Sequence, residues 1–495
     1  MKRAMNEMLR TRMQELRDLQ GVIGLASWDQ ETYLPAKAHE ARASQLATLE
    51  GLYHERLVDP ALGAWLAEAR TTTPDEAAMV RVLQKERDRA VKLPGALVKA
   101  IAEAQGAALT AWREARAKQD FSVFQPKVQR LLALRREQAD AWGHGGERYD
   151  ALLDKYEPGM TVARLGPALS ALREQLVPLV AAIDAKPKRP SPFAGKSFDP
   201  EAQWAFTMEL LPAMGFDLEA GRQDRSVHPF TGGTHLYDVR LTTRLFPELP
   251  LSSVFSTIHE GGHGLYEQGF DPAHERTTLA QAPSMGLHES QSRLWENVIG
   301  RSRAFWAHFY PRYQARFPAQ LAGVALDDFL REVNRVERSF IRVEADEVTY
   351  NLHIVLRYEL ELELVRGTLQ AKELPEAWNA KVKTLLGLEV DRPTNGVLQD
   401  IHWAFGDFGY FPTYTLGNLY AASLWKALRR DVPGVEASIA AGDLSPVLRW
   451  LREKVHREGY RSEAEALVTR VTGEGLTDAD FVAYLREKYG ALYGL

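Results

Sequence analysis

The chain has 495 residues, 45% hydrophobic, 26% charged and 9% aromatic, and 61 basic against 66 acidic side chains leave a net charge of −5. That composition excludes a mostly disordered chain, and the acidic balance offers no basic footprint for nucleic acid or an anionic membrane. With no cysteine, disulfides, thiol nucleophiles, iron–sulfur clusters and thiolate zinc sites are excluded together, so a transition metal must sit on His, Asp or Glu.

Met1–Leu19 carries charges throughout and lacks the apolar core of a signal peptide, and no run of about eighteen apolar residues follows. The expectation is a cytoplasmic protein without a transmembrane helix. Ala61–Ala69, Asp75–Val91, Pro94–Arg116 and Val123–Trp142 are rich in Ala, Leu, Glu, Arg and Gln, with apolar residues every three or four positions. They predict amphipathic helices. The clearest break is Lys186–Pro200, dense in Pro, Gly and Lys. It reads as a surface loop between an N-terminal helical section, about 1–185, and the remainder, about 200–495, within one domain. Strand-like patterning is rare; its best candidate lies near Thr234–Thr243, which also reads as extended loop.

Six of the 13 histidines fall between His228 and His288. Among them is His259-Glu260-Gly261-Gly262-His263. On a helix, residues four apart share a face, so both imidazoles can meet one ion, and Glu260 beside them can take a proton from water. Gly261 and Gly262 are poor helix formers and point to a close approach to the backbone, by a group such as substrate. A zinc hydrolase needs a third protein ligand and an open fourth position. The downstream candidates are Glu267, Glu275, Glu289 and Glu296. Met285–Asn297 reads as a helix on which Glu289, Arg293 and Glu296 share a face, so Arg293 can orient Glu289 from behind.

Farther along, Arg342, Asp346, Thr349 or Tyr350, His353 and Arg357 form a polar stripe at helical spacing, which suits a lined cleft. Gly396–Gly417 packs Trp403, Phe405, Phe408, Tyr410, Phe411 and Tyr414 among glycines, and His402 or a tyrosine there can stabilise an oxyanion. Arg240 or Arg342 can bind a substrate carboxylate through a bidentate pair.

Taken in order, His228-Pro229-Phe230, Asp238–Thr242, His259–His263, His288–Arg293, Ile341–Asp346 and Gly396–Trp403 resemble the motifs of the Taq-type metallocarboxypeptidases, and Trp28–Pro35 resembles that family's N-terminal region. The resemblance implies a mainly α fold, a large helical body with a deep substrate groove, similar to the neurolysin-type gluzincins, with few short strands. It implies a single peptidase domain over 1–495. It further implies one zinc on His259, His263 and Glu289, with cobalt able to replace it, and Glu260 as general base. Arg342 is the first expectation for the carboxylate anchor and Arg240 the second. His228, His402, Tyr410 and Tyr414 are the other substrate contacts, and Arg293 and Asp346 support the site from behind. The implied enzyme is a homodimer that removes C-terminal residues from peptides with broad specificity. A metallo-endopeptidase on the same fold is the nearest rival, and a non-catalytic peptide-binding scaffold the more distant one.

Overall fold

Residues 7–495 are described by a computed structural model; the first six residues of the charged N-terminal stretch lie outside the described residues. Among the described residues the chain is helical apart from three short strands and connecting turns, and no helix is long and apolar enough to cross a membrane. The predicted N-terminal helices form as Pro60–Ala67, Pro74–Val91, Gly95–Lys118 and Gln125–Trp142. Asp59 and Thr73 start the first two by accepting N–H bonds from their first turns, and proline occupies the first helical position after each. Between the helices ending at Asp184 and starting at Pro200 the chain is irregular, as the Pro-rich segment predicts. One continuous hydrophobic core lies on both sides of this loop, holding Leu172 and Leu176 as well as Phe206 and Leu210. A smaller cluster, with Leu9, Met13, Leu62 and Leu83, ties the first helices to Leu279 and Tyr460.

The strand prediction covers only part of a sheet. Thr231–His235 (β2) and Asp238–Thr243 (β3) pair antiparallel across a tight turn, and Gly221–Arg225 (β1) pairs parallel with β3, giving the order β1-β3-β2. The sequence Gly-Arg-Gln-Asp-Arg of β1 shows no apolar alternation, because its buried residues are the polar Gln223 and Asp224. Gln223 is satisfied by Thr207 and Thr257, and Asp224 by Arg222 and the Tyr33 hydroxyl. The helix Glu7–Thr32 lies across the sheet, and its Trp28 takes Arg240 and Arg222 over its ring at 4.4 and 5.4 Å.

Two further expectations are corrected. The stripe from Arg342 to Arg357 does not lie on one helix. Arg342–Glu344 is a single 3₁₀ turn, and the α-helix begins only at Tyr350. Asp346 is the reason: its carboxylate accepts the N–H groups of Val348 and Thr349, the hydroxyl of Thr349 and the N–H of Glu337, fixing a turn where the helix would otherwise extend backward. These partners make Asp346 a turn-former. The helix from Met285 is α-helical only to Arg293, and Leu294–Ile299 widens into a π-turn closed by Gly300 N–H on Trp295 O at 2.8 Å.

Glu157 shows how the N-terminal section seats the helix at 285–293. Its carboxyl is buried, accepts from Gly286 N–H and bonds Ser284, at that helix's first turn. Burial without a cation pushes it from the ordinary 4.5 up to about 8, against the pull of those two bonds. The folded state therefore holds this proton more tightly than the unfolded chain. Stability contributed below pH 4.5 is lost as pH rises toward 8. Glu157→Gln is expected to raise the melting temperature relative to wild type at about pH 8.5 and to lose that advantage at about pH 5. An equal difference at both pH values would show that the carboxyl does not titrate in this window.

Candidate metal centre

Pro250 opens the helix Pro250–Glu267, which carries the His259–His263 motif, and Met285–Arg293 carries Glu289. The two helices and Pro412–Asp431 meet through glycines. A Cβ on Gly262 would lie 2.7 Å from Ser292 Cα, and one on Gly417 would lie 2.5 Å from Glu289 Cγ. The close approach predicted at Gly261 and Gly262 is therefore made by the protein itself: Leu211 and Met214 press on Gly261, and the backbone of Gln291 and Ser292 on Gly262. Gly417→Ala adds a methyl group where Glu289 stands and is expected to cost about 1–3 kcal/mol of stability. The same variant is expected to weaken metal retention. Thermal melting and chelator competition check both, and wild-type values in both would contradict this packing.

His259 Nε2 and His263 Nε2 lie 3.8 and 3.4 Å from Glu289 Oε2, and one ligand atom from each residue lies within 4.8 Å of the other two. Tetrahedral ligands about 2.1 Å from an ion are about 3.4 Å apart, so the two distances to Glu289 are close to those a divalent ion of that size needs. The three side chains are 19, 11 and 10% exposed, which leaves one side open. The donor set of two imidazoles and a carboxylate suits zinc and its first-row neighbours.

The surroundings put Glu289 and His263 in the state a metal ligand needs, and they stabilise a cation at His259. Burial raises the Glu289 carboxyl, but Arg293 and then His259 carry it well below the usual carboxylate range. Arg293 Nε donates to Glu289 Oε1 at 2.7 Å. Burial, then the stacked His288 ring 4.3 Å away, lowers His263 to about 3, so that imidazole is neutral. Burial lowers His259, but the charge of Glu289 and the hydrogen bond to Glu296 outweigh it and raise the group. The pocket thus favours positive charge at His259. Glu296, which spacing offers as a third ligand, instead accepts from His259 Nδ1 at 2.9 Å and is itself held by Arg301 at 2.9 Å. The π-turn brings it there. Glu267, another ligand candidate, bonds His288 Nε2 at 2.8 Å, and Glu275 bonds His235 at 2.8 Å.

Glu260 points at β2. The Thr231 hydroxyl donates to Glu260 Oε2 at 2.6 Å, fixing one carboxylate oxygen. Burial raises the Glu260 pKa against the pull of His259, toward the range of an efficient base. Sequence reasoning missed Thr231, although it directly follows His228-Pro229-Phe230. His228 itself is exposed, and its carbonyl accepts from Ser226 at 2.6 Å.

On the other side stand His402, Tyr410 and Tyr414. His402 Nε2 and Tyr414 Oη are 3.3 Å apart, and the Tyr410 and Tyr414 rings are 5.4 Å apart. Burial, then the Arg342 charge, lowers His402 to about 3. Burial raises both tyrosines, with Glu289 next for Tyr410, so both hydroxyls stay protonated and can donate. Arg342 lies beneath this group, with Cζ 4.9 Å from the Tyr414 ring centre. It donates to Asp400 and to Tyr350 Oη, and Arg357 holds the second Asp400 oxygen. Arg240 is likewise committed, to both oxygens of Asp238. A separate surface cavity of about 720 Å³, lined by Lys85, Arg89 and Asp154 among others, holds none of these groups.

Known proteins share this arrangement's sequence and fold. The family model described as Carboxypeptidase Taq (M32) metallopeptidase matches residues 8–489. Thermostable carboxypeptidase 1 of Thermus thermophilus is 46% identical over 486 residues, and carboxypeptidase 1 of Bacillus subtilis 38% over 476, each match covering 95% of both chains. The crystal structure of an M32 carboxypeptidase from Deinococcus radiodurans superimposes with a TM-score of 0.97 at 41% identity, over 99% of both chains. With its helices, its three-stranded sheet and its two-histidine, one-glutamate triangle all in place, the chain belongs to the Carboxypeptidase Taq (M32) metallopeptidase family.

Proposed function

We propose that this enzyme is a zinc-dependent carboxypeptidase that releases C-terminal residues from peptides with broad specificity. The observation that carries the proposal is the His259–His263–Glu289 triangle with the Glu260 carboxylate beside it, tied to Thr231. These three residues would hold the metal, zinc in the first instance and cobalt as a substitute. When bound, the ion supplies Lewis acidity that polarises a peptide carbonyl and acidifies water.

The remaining work falls to the chain. Thr231 holds one oxygen of Glu260, so the other is free to take a proton from water and return it to the leaving amine. Tyr410, Tyr414 and His402 offer donors to the developing oxyanion. Arg293 keeps Glu289 ionised and oriented. His228, exposed on the loop before β2, is the remaining proposed substrate contact. The proposal includes a homodimeric cytoplasmic enzyme, on the family resemblance and the cysteine-free composition.

The test is mass spectrometry of one unstructured peptide, free or amidated at its C-terminus, incubated with zinc-loaded protein. Successive losses from the free C-terminus alone are expected. Internal fragments, or equal cleavage of the amidated peptide, would make it an endopeptidase. An untouched peptide with zinc bound would make it a binding protein.

A further inference from the structure

Glu361 is a buried acid that the chemistry above leaves unused. It lies fully buried on the helix Tyr350–Arg366, and among the described residues no cation pairs with it. Three donors meet it instead. Trp403 Nε1–H donates to Oε1 at 2.7 Å, and the Tyr149 hydroxyl and Gly409 N–H donate to Oε2 at 2.8 and 3.0 Å. Burial pushes the carboxyl up to about 7 against the pull of these bonds. A buried carboxylate without a counter-ion is a costly way to fill a core, so its value lies in what it fixes.

What it fixes is the loop of oxyanion donors. Trp403 directly follows His402, and Gly409 directly precedes Tyr410. One carboxylate thus grips the loop beside each of two donor side chains. Arg357, one turn earlier on the same helix, holds the start of that loop through Asp400 and Gln399, each at 2.7 Å. Gly409 is pressed from the other side: its φ is +89°, and a Cβ there would lie 2.8 Å from the backbone of Leu152. Tyr149 and Leu152 share the short helix Arg148–Leu153, so the N-terminal section closes the clamp. The Tyr410 backbone therefore starts from a fixed point, and its ring meets Tyr156 edge-on at 5.0 Å. Only an ionised carboxylate accepts from all three donors; an amide has one oxygen and turns its NH2 toward either Trp403 or Gly409, neither of which can accept through N–H.

Resting on the oxyanion donors of the carboxypeptidase reading above, we propose that Glu361 is a positioning residue for the reaction, which through Trp403 and Gly409 aims His402 and Tyr410 at the developing oxyanion. It touches no reacting atom. It acts on the rate because the donors it aims act in the transition state.

The test is steady-state kinetics on one free-acid peptide at about pH 8, where the carboxylate is ionised. Turnover is taken per zinc-loaded folded protein, with melting temperature measured alongside. Glu361→Gln is expected to lower kcat about tenfold with KM within about threefold, because a small misplacement of a donor costs rate rather than binding. Tyr410→Phe alone is expected to lower kcat about 100-fold, and adding Glu361→Gln to it should change kcat by less than about threefold. If Glu361→Gln does not fold, Tyr149→Phe carries the test: it keeps the carboxylate, removes one bond, and is expected to lower kcat about threefold in wild type but not in the Tyr410→Phe background. A Glu361→Gln enzyme with a lower melting temperature and wild-type kcat would make this carboxylate structural only and overturn the inference. An equal loss in both backgrounds overturns it too. Wild-type kcat in both Tyr410→Phe and His402→Gln overturns the oxyanion reading beneath it, and a wild type without turnover overturns the carboxypeptidase reading itself.

Discussion

Glu260→Gln is expected to leave zinc stoichiometry and the fold intact and to lower kcat by about 10²–10⁴-fold, with KM little changed. The amide keeps the shape of the carboxylate, and its oxygen can still accept from the Thr231 hydroxyl, so no buried donor is orphaned. What disappears is the capacity to take a proton. Glu260 is not one of the three residues of the ligand triangle, so affinity for the ion does not depend on it directly. Steady-state kinetics with metal analysis on the same preparation checks this, and a kcat within about tenfold of wild type would remove Glu260 from the role of base. Thr231→Val on the same assay separates positioning from chemistry: it leaves the base in place but lets it rotate.

The second large effect is at Glu296. Glu296→Ala is expected to weaken zinc binding about 100-fold, measured by chelator competition, although this carboxylate is not a ligand. It fixes the His259 ring through Nδ1 and stands between Arg293 and Arg301. Removing it leaves two half-buried guanidinium groups facing His259 without this carboxylate between them. Breaking a buried ion pair of this kind costs about 3–5 kcal/mol, so a lower melting temperature accompanies the loss of metal. Glu296→Gln, which still accepts from Nδ1 but carries no charge, should lose about tenfold. Because Glu260, Tyr410 and Tyr414 are untouched, kcat should return toward wild type at saturating zinc. Unchanged zinc affinity in the alanine variant would mean that the His259 ring is held by packing alone.

The parts of the site legible in the sequence are those set by local periodicity. Two histidines four apart on a helix must share a face whatever the fold, and Arg293 four residues after Glu289 must be able to reach it. Glu296 is visible on the same face, but whether it meets an ion or a histidine depends on the π-turn and on how two helices cross. Thr231 precedes Glu260 by 29 residues and reaches it only because a strand docks on the motif helix, so no spacing rule points to it. The glycines are readable as close contacts but not for what makes them. Side chains at 211 and 214 and a second helix's backbone lie far off in sequence. The polar stripe from 342 to 357 looks helical by spacing, and a single turn-forming carboxylate at Asp346 overrides it. β1 is hidden because its inward residues are amide and carboxylate, satisfied only by partners on other elements.

The glycine contacts among the three helices have a consequence for assembly. Ser292 rests on Gly262, and Glu289 on Gly417, with no side chain between to rearrange. The distance between ligands is thus set by how close two backbones can come, and it is reached when the core closes. Small metal-folded domains differ, since their ion must arrive before the structure exists. Here packing between helices shapes the socket, and an ion held there stabilises the fold in proportion to its affinity. A socket framed by backbone contact resists adjustment, so an ion of different radius meets the same spacing of side chains.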